Sequence, residues 1–123
     1  MKIKESAENY LETILMLTLK NGFVRSVDIA NELSFSKASV SIAMKNLREE
    51  GFATVDGDGK ITLTEKGMDV AGKIFERHNA IAGFLIMIGV DEETAYEDSC
   101  KIEHCISDIT FEKLKAFIEK RSI

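Results

Sequence analysis

The chain contains no proline, so no pyrrolidine ring interrupts a helix anywhere along its 123 residues. It has two cysteines, too few for a disulfide scaffold. If Cys100 and Cys105 share one helix they point about 140° apart and cannot bridge locally. The longest apolar run, Ala80 to Val90, is shorter than the roughly 20 residues that cross a bilayer. The opening segment MKIKESAENY lacks the apolar core of a secretory signal. These absences point to a cytoplasmic chain with reduced thiols and no membrane partner. Positive charge is also scarce: 16 Lys+Arg stand against 21 Asp+Glu, a net of −5. At first sight that balance argues against a nucleic-acid partner.

What is present is globular. A hydrophobic content of 45% with 30% charged residues excludes a mostly disordered chain. The length suits about one compact domain or two small subdomains, and no repeat, low-complexity tract or Gly/Ser-rich linker divides it.

Periodicity predicts a mainly α protein with one hairpin. Ala7, Leu11, Ile14, Leu15 and Thr18 repeat at helical spacing from Glu5 to Lys20, and Asn21-Gly22 ends the run. Ser26 reads as the N-cap of a short helix with Val27, Ile29, Ala30 and Leu33 apolar. Ser36 reads as the cap of a second helix to about Glu50, with Val40, Met44 and Leu47 as its stripe and Gly51 as its C-cap. Phe52–Val55 and Lys60–Leu63 flank Asp56-Gly57-Asp58-Gly59, a hairpin spacing. Thr64 can cap a long helix to about Ile88, with glycines at 67, 72 and 83 expected to be tolerated. Asp91 can cap a helix to about Ser107, and a last helix fills Thr110 to Lys120. Asp56-x-Asp58-Gly59 is not a calcium loop, because Lys60 falls where a ligand is required.

Helix, short helix, turn, helix and hairpin is the layout of a winged helix-turn-helix. Ser36, Lys37, Ser39, Ser41 and Lys45 lie at the start or on the polar side of its second helix, with Lys60 on the wing. Short hydroxyls approach phosphates and base edges, and lysines neutralise phosphate. From Leu33 to Arg48 there are three basic residues and no acidic one. The acidity is unevenly placed: residues 1–88 carry 11 basic and 12 acidic side chains, whereas residues 89–123 carry 5 and 9. The plainer alternative is a trihelical packing unit with capping serines and solvated lysines; the hairpin in the right place favours DNA.

A second constellation is Cys100-x-x-Glu103-His104. On a helix, positions i, i+3 and i+4 share a face, bringing together a thiolate, a carboxylate and an imidazole suited to a first-row divalent metal. Asn9 and Glu12 lie one turn apart on the first helix, and His78 lies inside the long one. Each has an ordinary alternative: Glu12 a solvated residue, His78 a satisfied core histidine, Cys100 a small buried hydrophobe. Cys105 has no such neighbours and is assigned to the core.

The segments AENYLETILML, VDIANELSFSKASVSIAMKNLREEGF, ITLTEKG, ERHNAIAGFLIMIGVDEE and SCKIEHCISD together resemble the iron-dependent repressor family. The resemblance runs through nearly the whole chain, and the last two segments are its specific part. It implies a winged helix-turn-helix over residues 1–64 and a helical metal-binding and dimerisation region over 65–123. It carries ligand roles onto Cys100, Glu103, His104 and His78, and onto Glu12 as in the family's manganese branch. Asn9 departs from it, standing where the iron branch has Met and the manganese branch Asp. Ala82 departs too, in place of an acidic ancillary ligand. The chain also ends without the SH3-like domain of the iron branch.

The expected function is a metal-activated repressor of metal-homeostasis genes, with Fe(II) favoured, Mn(II) next, and Zn(II) or Co(II) able to bind in vitro. A homodimer burying Ile86, Ile102, Ile106, Phe111, Leu114 and Phe117 would bind a near-palindromic operator. The alternative is a winged-helix regulator answering to a small organic ligand or to thiol oxidation. An enzyme is not expected, since no nucleophile–base pair is visible.

Overall fold

The computed structural model describes residues 5–121. The order is α1 (Glu5–Asn21), α2 (Ser26–Leu33), α3 (Lys37–Glu49), β1 (Ala53–Val55), β2 (Ile61–Leu63), α4 (Glu65–Met87), α5 (Glu92–Ile102) and α6 (Asp108–Arg121). The chain forms two compact units, Met1–Gly72 and Lys73–Ile123. Among the described residues, no helix is long and apolar enough to cross a membrane.

In the first unit α1, α2 and α3 pack on one another. Leu11 and Ile14 of α1, Ile29 and Ala30 of α2, and Val40, Met44 and Leu47 of α3 are all buried. Each of the larger side chains contributes about 1.5–3 kcal/mol on leaving water. Helix α3 starts where the sequence places its cap: Ser36 Oγ accepts the Ser39 N–H at 3.1 Å. Helix α2 starts differently. Ser26 is its first helical residue and Arg25 its N-cap, with the Asp28 carboxylate accepting the Arg25 N–H at 2.9 Å. The acid at N3 therefore does the work that the sequence reading gave to the serine.

The hairpin is antiparallel, with Ala53 opposite Leu63 and Val55 opposite Ile61. Its turn is tied by Asp56, whose Oδ1 accepts the N–H groups of Asp58 and Lys60 at 2.9 Å each. The Lys60 N–H is the main reason its carboxyl sits below the usual carboxylate range. Thr64 joins hairpin to helix: its Oγ1 accepts the Gly67 N–H at 3.1 Å and donates to Gly51 O at 2.6 Å.

Gly67 corrects the expectation of a tolerable helical glycine. A Cβ there would lie 2.0 Å from the carbonyl oxygen of Phe52, which already accepts the Thr64 N–H at 3.0 Å. Gly67→Ala must push the wing off the start of α4. The expected cost is about 2 kcal/mol, at the middle of the range for overpacking. Urea unfolding of the variant checks it, and an unchanged midpoint contradicts this reading.

In the second unit Gly89, at φ +107°, takes the left-handed turn that ends α4 without a Cβ penalty. Asp91 caps α5 through the Thr94 N–H at 3.0 Å. That bond is the leading cause holding the Asp91 carboxyl below its ordinary value. Arg77 of α4 reaches the α5–α6 turn, donating from Nη2 to Ile106 O at 2.9 Å and to Ser107 O at 3.2 Å. Its guanidinium carbon also lies over an aromatic face, 5.2 Å from the Phe111 ring centre. Glu76 pairs with Lys115, which raises the lysine above its ordinary value.

Three expectations change here. Phe111 is buried within its own chain, so it is unavailable to a dimer stripe. Ile86 and Phe117 remain exposed. Helix α5 stops at Ile102 rather than about Ser107, because the turn held by Arg77 takes over. Cys105 therefore lies outside any helix and is exposed rather than core.

Candidate metal centre and nucleic-acid interface

Within the second unit the structure brings together His78, Glu103 and His104. Glu103 is the C-cap of α5, and its helical backbone (φ −56°, ψ −25°) keeps it one turn beyond Ser99 on the buried face. Its side chain is 0% exposed, a costly place for a carboxylate unless it is paired and hydrogen-bonded. The pairing is bilateral. Oε2 lies 3.0 Å from His78 Nδ1 and Oε1 lies 3.2 Å from His104 Nε2. An ionised carboxylate only accepts, so in the hydrogen bond to His78 it is Nδ1–H that donates, whereas the approach of His104 is an ion-pair contact.

Two neighbours that the sequence reading missed position His78. Ser99, fully buried, donates from Oγ to the carbonyl oxygen of His78 at 2.5 Å. The Tyr96 ring lies 5.4 Å from the imidazole. The available signal is the i, i+4, i+8 series Ala95, Ser99 and Glu103, all buried, in which one small hydroxyl interrupts a helix face turned inward.

The other candidate ligands are placed as follows. Cys100 is exposed on α5, one turn before Glu103. This removes its reading as a small buried hydrophobe. His104 follows the end of the helix, so it reaches Glu103 from a turn and not from a shared helical face. Glu12 and Asn9 belong to α1 in the first unit, Glu12 buried and Asn9 half-buried. The alternative of a solvated Glu12 is thereby excluded.

The donor chemistry fits a divalent first-row metal. A buried carboxylate flanked by two imidazoles supplies one hard and two borderline donors, with a thiol one turn away. A buried carboxylate with an imidazole nitrogen close to each oxygen also marks where positive charge is favoured.

On α3, Lys37, Ser39, Ser41 and Lys45 are all exposed. Ser36 is exposed as well, but its hydroxyl is engaged as the cap and donates to Ser39 Oγ at 2.9 Å. Lys60 is half-buried at the wing. Ile42, which the charge pattern did not single out, is 63% exposed on the same helix. It offers an apolar surface of the kind that meets a thymine methyl.

A winged helix-turn-helix together with a buried carboxylate–imidazole cluster describes a DNA-binding protein with a metal-responsive module. Comparison with known proteins makes this specific. The model of the iron dependent repressor N-terminal DNA binding domain matches residues 2–61. That of the iron dependent repressor metal binding and dimerisation domain matches residues 64–122. The chain belongs to the iron dependent repressor family, whose members are metal-dependent transcriptional repressors that bind DNA and dimerise through these two domains. It is 38% identical over 120 residues to an uncharacterised HTH-type transcriptional regulator of Methanocaldococcus jannaschii, covering 96% of each chain. It is 33% identical over 114 residues to the transcriptional regulator MntR of Lysinibacillus sphaericus, covering 93% of this chain and 82% of that one. Among solved structures it is similar to the manganese regulator SloR, with a TM-score of 0.78 and 28% identity. That match covers 97% of this chain and 55% of the other.

Proposed function

We propose that this protein is a repressor of metal-homeostasis genes, activated by Fe(II) or Mn(II), with residues 1–64 binding DNA and residues 65–123 binding metal and dimerising. The observation that carries this reading is the fully buried Glu103 carboxylate held between His78 and His104. It occurs in a chain whose other unit is a winged helix. His78, Cys100, Glu103 and His104 are assigned as ligands from the second unit, and Glu12 and Asn9 from α1. Asn9 offers only a carbonyl oxygen and brings no charge, so one full site per chain is assigned. The thiolate of Cys100 tilts the preference toward Fe(II), whereas oxygen donors suit Mn(II), and Zn(II) or Co(II) also match the set in vitro.

When bound, the cation supplies positive charge that neutralises Glu103 and favours the DNA-competent population. The residues do the rest. Glu103 fixes both imidazoles, Ser99 holds the His78 backbone, and Arg77 holds the turn that follows His104. Exposed Ile86, Ile88 and Phe117 provide an apolar face for a homodimer. Two recognition helices then meet major grooves about 34 Å apart, or a multiple of that, on a near-palindromic operator. The site of action is the cytoplasm.

Anomalous scattering at the metal edges, from crystals grown with each candidate metal, tests the assignment. The expected result is one cation on Glu103, His78 and His104. A cation bound away from these residues contradicts it.

A further inference from the structure

In the first unit, the turn between α2 and α3 is set by Ser34, whose φ of +57° is left-handed, a conformation that a residue with a Cβ adopts at a cost. The N–H groups of Ser34 and Phe35 both donate to Ala30 O, the second at 3.1 Å. Ser36 then caps α3, and the Val40 N–H donates to Ser36 O at 3.1 Å. These bonds run along the chain. A further contact runs across it, to α1. The Phe35 ring lies 5.9 Å from the Tyr10 ring, tilted by 55°, within the range of favourable aromatic pairs.

The pair is asymmetric. Tyr10 is 7% exposed and anchored in the core, whereas Phe35 is 46% exposed. Burial alone does little to fix a side chain so open to water, and Tyr10 gives its ring a direction. Tyr10 stands in α1 between Asn9 and Glu12, the two residues of that helix assigned to the cation. Hydrogen bonds from i to i−4 make a helix stiff over a single turn, so whatever fixes positions 9 and 12 also fixes the backbone at 10. Phe35, at the other end of the contact, directly precedes the cap of α3 and its first residue, Lys37.

We propose that the Tyr10–Phe35 pair is the link through which a cation held by Asn9 and Glu12 orders the turn that starts α3. The two rings position the recognition helix; they neither ligate metal nor read a base. This rests on the proposed function, with α1 contributing to the metal site. An aromatic pair of this kind accounts for roughly two- to tenfold of the coupling between metal and DNA.

The test is fluorescence anisotropy of an operator-like duplex with the full chain, with and without saturating Mn(II), beside calorimetry of Mn(II) binding in the absence of DNA. Phe35→Leu keeps an apolar side chain and removes the ring. Its Mn(II) affinity without DNA is expected to stay within about twofold of the parent's, while the gain in DNA affinity on adding metal falls by roughly two- to tenfold. Coupling is reciprocal, so the duplex should raise the Mn(II) affinity of Phe35→Leu by less, in the same proportion. Phe35→Tyr and Tyr10→Phe retain both rings and are expected to retain the gain. A gain in Phe35→Leu equal to the parent's overturns the link. So does a loss of DNA affinity that is the same with and without metal, which makes Phe35 a plain DNA or folding contact. A parent that gains nothing from metal overturns the proposed function itself. Circular dichroism establishes that each variant is folded, and Phe35→Met takes the place of Phe35→Leu if the latter unfolds.

Discussion

Glu103→Gln is expected to weaken Fe(II) or Mn(II) binding by about 100-fold, the upper end of what even supporting residues of a metal site contribute. The substitution preserves size and one hydrogen-bond acceptor, but it removes the charge between His78 and His104. The amide cannot neutralise a divalent cation, and its NH2 group would lie against His78 Nδ1 or His104 Nε2. Titration calorimetry with Mn(II) reads the affinity directly. Thermal unfolding gives an independent check: ligand at 100 times its dissociation constant stabilises the parent by about 2.7 kcal/mol, and the variant should show almost none of this. Metal stabilisation equal to the parent's contradicts the assignment of Glu103 as a ligand.

The second large effect is expected on α3. The double variant Lys37→Ala, Lys45→Ala removes two exposed cations from a stretch, Leu33 to Arg48, with no acidic residue. If each neutralises one phosphate, the salt slope falls by about 1.8. Extrapolated from 1 M to 0.1 M salt, that difference is on the order of 60-fold in affinity. The loss should be nearly the same on every sequence, because phosphate contacts position the protein without reading bases. Anisotropy on two unrelated duplexes measures it. A loss confined to one sequence would instead assign these lysines to base edges.

Much of the fold is written in local pattern. The stripes of α1 and α3, the caps at Ser36, Thr64 and Asp91, and the Asp-Gly turns of the wing each depend on residues within one or two turns. What was not legible depends on distant partners. Gly67 is required by the carbonyl of Phe52, fifteen positions earlier, and nothing in its own helix reveals that. Arg77 ends α5 early by gripping Ile106 and Ser107, which turns Cys105 to solvent and places His104 beyond the helix. Phe111 lies under the same guanidinium and so joins the core, where periodicity alone had grouped it with exposed Phe117.

The candidate site divides in the same way. Glu103 and His104 stand out by spacing, and His78 by being the other histidine of the chain. Their close approach depends on how α4 and the end of α5 pack, as does the support from Ser99 and Tyr96. The net charge of −5 likewise changes meaning with position, since nine of the acidic side chains lie between residues 89 and 123. It makes DNA affinity sensitive to salt and to a bound cation.

The central claim is that metal occupancy controls DNA binding. Its most direct test is anisotropy of an operator-like duplex with the full chain, anaerobically, with and without saturating Fe(II), and again with Mn(II). The account predicts tighter binding with metal, by the 5- to 150-fold typical of coupled sites at about 1–3 kcal/mol, and no such gain in Glu103→Gln. Equal affinity with and without either metal contradicts it.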